Sequence, residues 1–346
     1  MNAPSIHIEQ ALDEPQAIWL DARSEGEYAH AHIPGAISLP LLNNEDRHAI
    51  GMAYKQQGKQ AAVMLGFERV GPRFHQIIQE GLRMCDGREV IVYCWRGGMR
   101  SNILGWLLQT AGLRVRVVEG GYKSFRHAAI DAFHRPQKMK ILHGKTGSGK
   151  TAWLQRLHNA GEQIIDLEKL AHHKGSAFGG LGQSPQPTQE QFENHLAFAI
   201  RSLNPDQTCW VEGESRMIGR IRIPDALYLQ MQSAAILELD VNEEIRVQRI
   251  LDEYAHFPLD DLEEKTMALT KRMGGDQVKE SLEGLRHGDW RRWLKPLLAY
   301  YDKTYLYALE KAKERKRGVI RIEPNHDDLS ILQQIIAFDH HELDRT

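Results

Sequence analysis

Cysteine is scarce in this chain: Cys85, Cys94 and Cys209 are the only three among 346 residues. No two of them form a Cys-x-x-Cys pair, and three cannot build a disulfide framework. A disulfide-stapled secreted domain is therefore excluded, and a reducing compartment, the cytoplasm, is expected. Long hydrophobic runs are missing too, so no bilayer-spanning helix is expected. The N-terminus lacks the basic start and apolar core of a signal peptide, and none is expected. Neither sign of charge is in excess: 44 Lys and Arg stand against 46 Asp and Glu, a net charge of −2. A global basic bias toward nucleic acid is absent, although a local basic face is compatible with that average. There is no internal repeat and no low-complexity tract. What remains is a globular composition, 42% hydrophobic and 26% charged, at a length that suggests about two domains.

One stretch organises the first half: Tyr93-Cys94-Trp95-Arg96-Gly97-Gly98-Met99-Arg100-Ser101. The apolar run 89–93 before it reads as a buried strand, and 102–110 after it as a helix. Cys94 thus ends a strand on a short glycine-containing loop that opens a helix. There, successive backbone N–H groups can turn inward and form an anion-binding concavity. The helix N-terminus adds partial positive charge, and Arg96 and Arg100 add two full charges. All of these favour a thiolate, the nucleophilic form of cysteine. Many free cysteines are merely small buried hydrophobes, but this one shares its loop with two glycines and two arginines.

Around that loop, strand and helix patterns alternate. Residues 18–21 and 113–118 read as strands, Ile37 to Leu42 resumes an apolar pattern, 44–70 is partly helical, and 74–84 has helical spacing. Pro34-Gly35 and Glu119-Gly120-Gly121 mark turns. This order predicts a small α/β domain with a parallel sheet and its active site at the strands' carboxyl ends. Asp21 and Arg23 read as a structural ion pair. Residues 126–138, with Arg135-Pro136-Gln137-Lys138, read as a linker. The expected domains are 5–128 and 138–346.

The second half opens with a strand, 139–143, running into Gly144-Lys145-Thr146-Gly147-Ser148-Gly149-Lys150-Thr151 and a helix. This is the phosphate-binding GxxxxGK[ST] pattern in its strand–loop–helix setting. Glycine lets backbone N–H groups approach phosphate oxygens, Lys150 supplies a point charge, and Thr151 can hold Mg²⁺ through its hydroxyl. An ATPase is expected to add an acid at the end of a second strand. Asp166 and Glu212 are the candidates, with Glu214 and Arg216 close by. The Glu where an Asp is usual weakens ordinary ATP hydrolysis and leaves room for another diphosphate. His172 and His173 are adjacent and cannot share a helix face, so they are not read as metal ligands. After the strand 235–240, Arg246 and Arg249 stand one turn apart on a helix, either near phosphates or on an exposed charged face. Residues 262–272 and 277–316 read as mostly helical. Trp290, Arg291, Arg292, Trp293 and Lys295 alternate there in a way that suits RNA backbone and stacked bases; the alternative puts the tryptophans in the core and the arginines outside. The basic run 311–317 is either a solvated face or a phosphate contact. Residues 318–323 read as a last strand, and Asn325 as the N-cap of a helix over 327–337.

Asp21-Ala22-Arg23, Glu27-Tyr28, His32-Ile33-Pro34-Gly35-Ala36, the cysteine loop and Glu119-Gly120-Gly121 together resemble a rhodanese domain. Rhodaneses carry sulfur or selenium on the loop cysteine, which implies Cys94 as the carrier. With the phosphate-binding loop, Asp166-Leu167-Glu168, Gly175-Ser176 to Gly179, and Val211-Glu212-Gly213-Glu214-Ser215-Arg216, the whole chain resembles the bacterial tRNA 2-selenouridine synthase family. The resemblance implies an N-terminal rhodanese-like α/β domain followed by a P-loop parallel-sheet domain with extra C-terminal helices. It implies a cytoplasmic transferase acting on wobble 2-thiouridine in the tRNA anticodon loop. Geranyl diphosphate would alkylate the sulfur, and selenium from selenophosphate would then replace geranylthiol; an enzyme supplying selenophosphate is an expected partner. Two alternatives stay open: a P-loop RNA or nucleoside kinase with a regulatory rhodanese domain, and a tRNA sulfurtransferase.

Overall fold

The computed structural model describes residues 3–311 and 317–340. Two compact units are present. One runs through Ala132 and includes Glu193–Phe198; the other holds Phe133–Phe192 and the chain from Ala199 onward. The helix Gly121–Ala132 runs through the first part of the expected linker and past residue 128.

The first unit is built on five parallel strands: β1 (Ser5–Ile6), β2 (Ile18–Asp21), β3 (Ile37–Ser38), β4 (Val90–Tyr93) and β5 (Val115–Val118). Their order is β1-β5-β4-β2-β3. Central β4 reads Val-Ile-Val-Tyr without alternation, because both of its faces are covered, and all four residues are buried. The apolar pattern of 37–42 yields only two residues of strand. The segment 44–70 forms two helices, Asn44–Gln57 and Lys59–Val70, joined at Gly58. Asp46 ties them together, accepting from Arg69 Nη1 at 3.0 Å and Arg73 Nη1 at 3.1 Å.

The motif residues beside β2 hold this unit in shape. Asp21 accepts from the Arg23 backbone N–H at 2.9 Å, Nε at 3.0 Å and Nη2 at 2.6 Å. Arg23 Nη2 also donates to Ala31 O at 2.6 Å, and its guanidinium stands 3.9 Å over the Tyr122 ring. A charge pair buried this deeply is structural, because losing one partner strands the other at a cost of about 3–5 kcal/mol. Ser24 and Glu27 form a capping box at the helix Glu25–His30, and Tyr28 Oη donates to Ala36 O at 2.7 Å.

The second unit holds β6 (Met139–Gly144), β7 (Gln163–Ile165), β8 (Cys209–Glu212), a hairpin of β9 (Met217–Ile218) and β10 (Ile221–Arg222), β11 (Ala235–Val241) and β12 (Arg317–Ile322). The parallel sheet has the order β12-β11-β6-β8-β7. The chain builds β7 and β8 on one flank of β6 before crossing to β11 and β12 on the other. The carboxyl end of β6 is thereby a topological switch point, where open α/β sheets bind ligands.

Helices Leu259–Met267, Thr270–Met273, Gly275–Arg286 and Trp290–Lys311 add a second core. Trp293 is buried in it and donates through Nε1 to Thr266 Oγ1 at 3.1 Å. Trp293 is therefore a core residue and offers no platform for stacked bases. Arg286 and Arg292 lie outside and pair with Glu263 and Glu283. The last helix, Asp328–His340, is capped by Asp327, which accepts from Leu329 N and Ser330 N at 3.3 and 3.0 Å. Asn325, the expected cap, instead turns the chain with φ +68°. Within the basic run 311–317, residues 312–316 lie outside those described. Among the described residues no helix is long and apolar enough to cross a membrane.

Candidate functional site

Cys94 leaves the carboxyl end of β4, the centre of the first sheet. The helix after it begins at Met99, three residues earlier than its sequence suggests, because Gly98 serves as N-cap without a side chain to announce it. Arg100 and Ser101 are thus first-turn residues. Cys94 Sγ lies 3.2 Å from Ser101 Oγ, which is also 3.1 Å from Gly98 O. A hydroxyl so placed can accept from a thiol or donate to a sulfur anion. The loop is moulded by the turn after β5: Tyr122 N donates to Cys94 O at 2.8 Å and Lys123 N to Trp95 O at 3.0 Å. At Gly121 (φ +60°) a Cβ would stand 2.2 Å from Cys94 O and 2.4 Å from Gly97 N, so any side chain would dislodge the loop.

The two loop arginines differ. Arg96 is exposed and makes no ion pair or hydrogen bond with the described residues. Arg100 Nη1 donates to Glu27 Oε2 at 2.7 Å, and Arg47 Nε reaches the same oxygen at 2.9 Å. The Arg100 charge is compensated, so Arg96 is the uncompensated cation of the loop.

In the second unit, the phosphate-binding loop joins β6 to the helix Lys150–Asn159. Gly149 (φ +80°) turns the chain into that helix, whose first N–H groups have no intrahelical partner. Ser148 N donates to Lys145 O at 3.0 Å, tightening the loop, and Lys150 Nζ lies 3.4 Å from Gly144 O. The helix Glu243–Tyr254 braces it. Arg246 Nε donates to Thr146 O at 2.9 Å while its Nη atoms pair with Asp302, and Arg249 Nη1 donates to Ser148 O at 2.6 Å. Both arginines hold the loop itself, so the exposed-face alternative falls.

Thr151 Oγ1 stands 3.0 Å from Glu212 Oε2, at the end of β8, and 3.0 Å from Glu168 Oε2. Glu168, Glu212 and Glu214 bring carboxylate oxygens within 4.8 Å of one another. Burial, then the neighbouring Glu214, pushes the Glu168 carboxyl up to about 7. Burial, then Glu168 and Glu214, pushes Glu212 well above the carboxylate range, and burial raises Glu214. Glu212 Oε1 is buried and has no hydrogen-bond partner among the described residues. Three crowded acids with an orphaned oxygen form a donor set for a hard divalent cation.

Asp166 is not part of this group. It caps the short helix Leu167–Ala171, accepting from Lys169 N at 2.8 Å, and takes a second bond from Gln155 Nε2 at 2.8 Å. The acid that reaches Thr151 from that turn is Glu168, which sequence reasoning passed over although it sits in the same Asp-Leu-Glu stretch. Arg216 is exposed and pairs with Asp225. His172 Nδ1 lies 3.1 Å from Pro185 O, and His173 is wedged against Gly179 and Gly219.

Gly144, Thr146, Gly147, Gly149, Lys150 and Thr151 line one cavity of about 1110 Å³ together with Glu168, Glu214 and Arg249. Phe178, Leu294, Leu297, Leu298, Tyr254 and Tyr301, most of them members of the helical core, also contribute to its lining. A phosphate cradle and apolar side chains thus line one space.

Residues 137–326 match the family model described as the tRNA 2-selenouridine synthase AAA domain, and residues 7–128 match the rhodanese-like domain. The tRNA 2-selenouridine synthase of Nitrosomonas europaea is 32% identical, over 90% of this chain and 95% of its own. That of Shewanella sp. strain MR-7 is 35% identical, over 89% and 90%, and that of Cronobacter sakazakii 36%, over 86% and 88%.

Proposed function

The chain belongs to the tRNA 2-selenouridine synthase family, and from that membership we propose that it converts wobble 2-thiouridine in tRNA to 2-selenouridine through an S-geranyl-2-thiouridine intermediate. It is a tRNA-modifying transferase. In this reading geranyl diphosphate and selenophosphate are its substrates, and Cys94 carries the selenium.

The observation that carries the geranyl step is the shared cavity of the second unit. Geranyl diphosphate is a diphosphate on an apolar chain, and the lining of the cavity includes both the phosphate-binding loop and Phe178, Leu294, Leu297 and Leu298. During alkylation the thiocarbonyl sulfur bonds to the geranyl C1 while the C1–O bond breaks, and the electron pair leaves on diphosphate. Loop N–H groups and Lys150 meet that growing charge without reorganising. The tRNA sulfur becomes a thioether carrying the geranyl chain. A selenium nucleophile held at Cys94 then adds to C2, and the C2–S bond breaks with its electron pair on geranylthiolate. A small cellular thiol cleaves the S–Se bond, leaving selenium on C2 and Cys94 as a mixed disulfide. The selenium of selenophosphate attacks that disulfide to reload the sulfur, as the thiol and, after hydrolysis of the P–Se bond, phosphate leave. Arg96 supplies positive charge beside the incoming selenium anion. A wobble base lies in a loop and can be splayed out with little pairing lost.

Mg²⁺ fits the donor set around Thr151. The Thr151 hydroxyl with Glu168 and Glu212 would hold it, and the ion would supply further positive charge for a diphosphate. A proton and a cation compete for Glu168, whose carboxyl is pushed up to about 7. The folded protein binds that proton more tightly than the unfolded chain, where the ordinary value is 4.5. Without a cation, stability therefore falls as pH rises through this interval. Mg²⁺ is expected to raise Tm more at about pH 8 than at about pH 6. An equal rise at both, or none at either, in differential scanning calorimetry would remove the carboxylates from ion binding.

Nucleoside mass spectrometry tests the whole reading. Purified protein is given tRNA bearing 2-thiouridine, first with geranyl diphosphate and then with selenophosphate. A geranylated nucleoside followed by a selenium-containing one is expected. ATP-dependent phosphorylation of the RNA with neither product would establish a kinase instead.

A further inference from the structure

The first unit has a second cavity, of about 380 Å³, that the chemistry above does not use. It opens between the paired helices Asn44–Gln57 and Lys59–Val70 on one side and Met99, Arg100 and Ile103 on the other. Its lining is almost wholly apolar, with Leu41, Ile50, Val63 and Phe74 deep in it. At its mouth Tyr54, Phe67 and Met99 are 60%, 50% and 51% exposed. Large apolar side chains left in water around a concave apolar site mark a binding surface. Cations edge it: Lys59, and the Arg47 and Arg100 that share Glu27.

This pocket adjoins the cysteine loop. Met99 and Arg100 are the first residues of the helix that leaves it. Cys94 lies in the same apolar cluster as Leu41, Leu42, Ile50, Phe74 and Ile103. A substrate reaching the cysteine loop therefore has an oily recess in the same unit, lined by the first residues of the helix that leaves the loop.

We infer that this pocket seats the geranyl chain of S-geranyl-2-thiouridine while the C2–S bond is exchanged for C2–Se. The inference rests on the S-geranyl reading and adds a second prenyl-binding site to it, in the selenium-handling unit. An alkyl chain held there orients the departing sulfur relative to Cys94 and carries geranylthiolate away from the base. The cationic edge suits both the leaving thiolate and the neighbouring tRNA phosphates.

The test starts from tRNA already alkylated by chemical means, so that the phosphate-binding loop is bypassed. S-methyl, S-dimethylallyl and S-geranyl 2-thiouridine tRNAs are each given limiting wild-type protein with selenophosphate, and 2-selenouridine is measured. A buried methylene is worth about a factor of four in binding, so S-geranyl tRNA is expected to outrun S-methyl tRNA by about 100-fold or more. Gly51→Phe then fills the pocket. Gly51 lines it, a Cβ there meets nothing within 4 Å, and helix propensity favours the replacement. The variant is expected to convert S-geranyl tRNA at least about tenfold more slowly, with the chain-length preference collapsing toward unity.

Equal wild-type rates along the series would overturn the inference without reference to any variant's folding. So would a preference that persists in Gly51→Phe, or a variant that changes only the oligomeric state, which would make the surface a protein contact. Failure of the wild type to convert any alkylated tRNA would overturn the underlying selenation reading instead.

Discussion

Cys94→Ser is expected to abolish selenium incorporation while S-geranyl-2-thiouridine accumulates at a rate within about twofold of wild type. A hydroxyl is a far weaker nucleophile than a thiolate at neutral pH, and serine forms no stable bond to selenium under these conditions. The exchange is nearly isosteric in a site where Ser101 Oγ already stands 3.2 Å from the sulfur, so the loop keeps its shape. The phosphate-binding loop lies on another sheet, which is why geranyl transfer should persist. Nucleoside mass spectrometry reads both products in one digest. Loss of both activities in a variant with a wild-type melting curve would sink the division of labour between the loops.

Lys150→Ala has the converse effect: geranyl transfer falls by about 10²–10³-fold, the usual consequence of removing one preorganised group that meets developing negative charge. Among the described residues Lys150 Nζ hydrogen-bonds Gly144 O at 3.4 Å, and its charge also acts on Glu168, Glu212 and Glu214, so the variant's melting curve is measured beside its activity. Selenation of tRNA supplied already S-geranylated should continue. Unchanged geranyl transfer in Lys150→Ala would mean that the diphosphate is held elsewhere.

How much of this was legible in the chain follows from how local each feature is. The phosphate-binding loop is contiguous, from Gly144 to Thr151, and its strand and helix flank it directly, so spacing alone placed it. The cysteine loop is legible for the same reason, although its strand, read as 89–93, is Val90–Tyr93 and its helix begins at Met99 and not at 102. Features assembled across the sheet were not. Glu168, on the short helix after β7, and Glu212, at the end of β8, meet at Thr151, and nothing in a linear reading chose Glu168 over the nearer-looking Asp166, which the backbone uses as a cap. The pairing of Trp293 with Thr266 was equally hidden, because alternation of tryptophan and arginine on a helix does not say which face turns inward. Arg246 and Arg249 were visible as a pair one turn apart, but their targets, the Thr146 and Ser148 carbonyls, lie in a loop a hundred residues earlier. The apolar pocket at the start of the helix after the cysteine loop was least visible of all, since it exists only where two helices fold back over the start of a third.

The glycine turn that moulds the cysteine loop also sets a schedule. Cys94 is synthesised before Gly121 and Tyr122, whose backbone fixes Cys94 O and closes against Gly97. β5, which delivers that turn, must itself pair with β4 before the turn is in place. A nascent or truncated chain ending near residue 110 would carry the same thiol on an unmoulded loop. In the function proposed above the thiol is thus latent until the turn emerges, and selenium chemistry at Cys94 would wait for the first sheet to be completed.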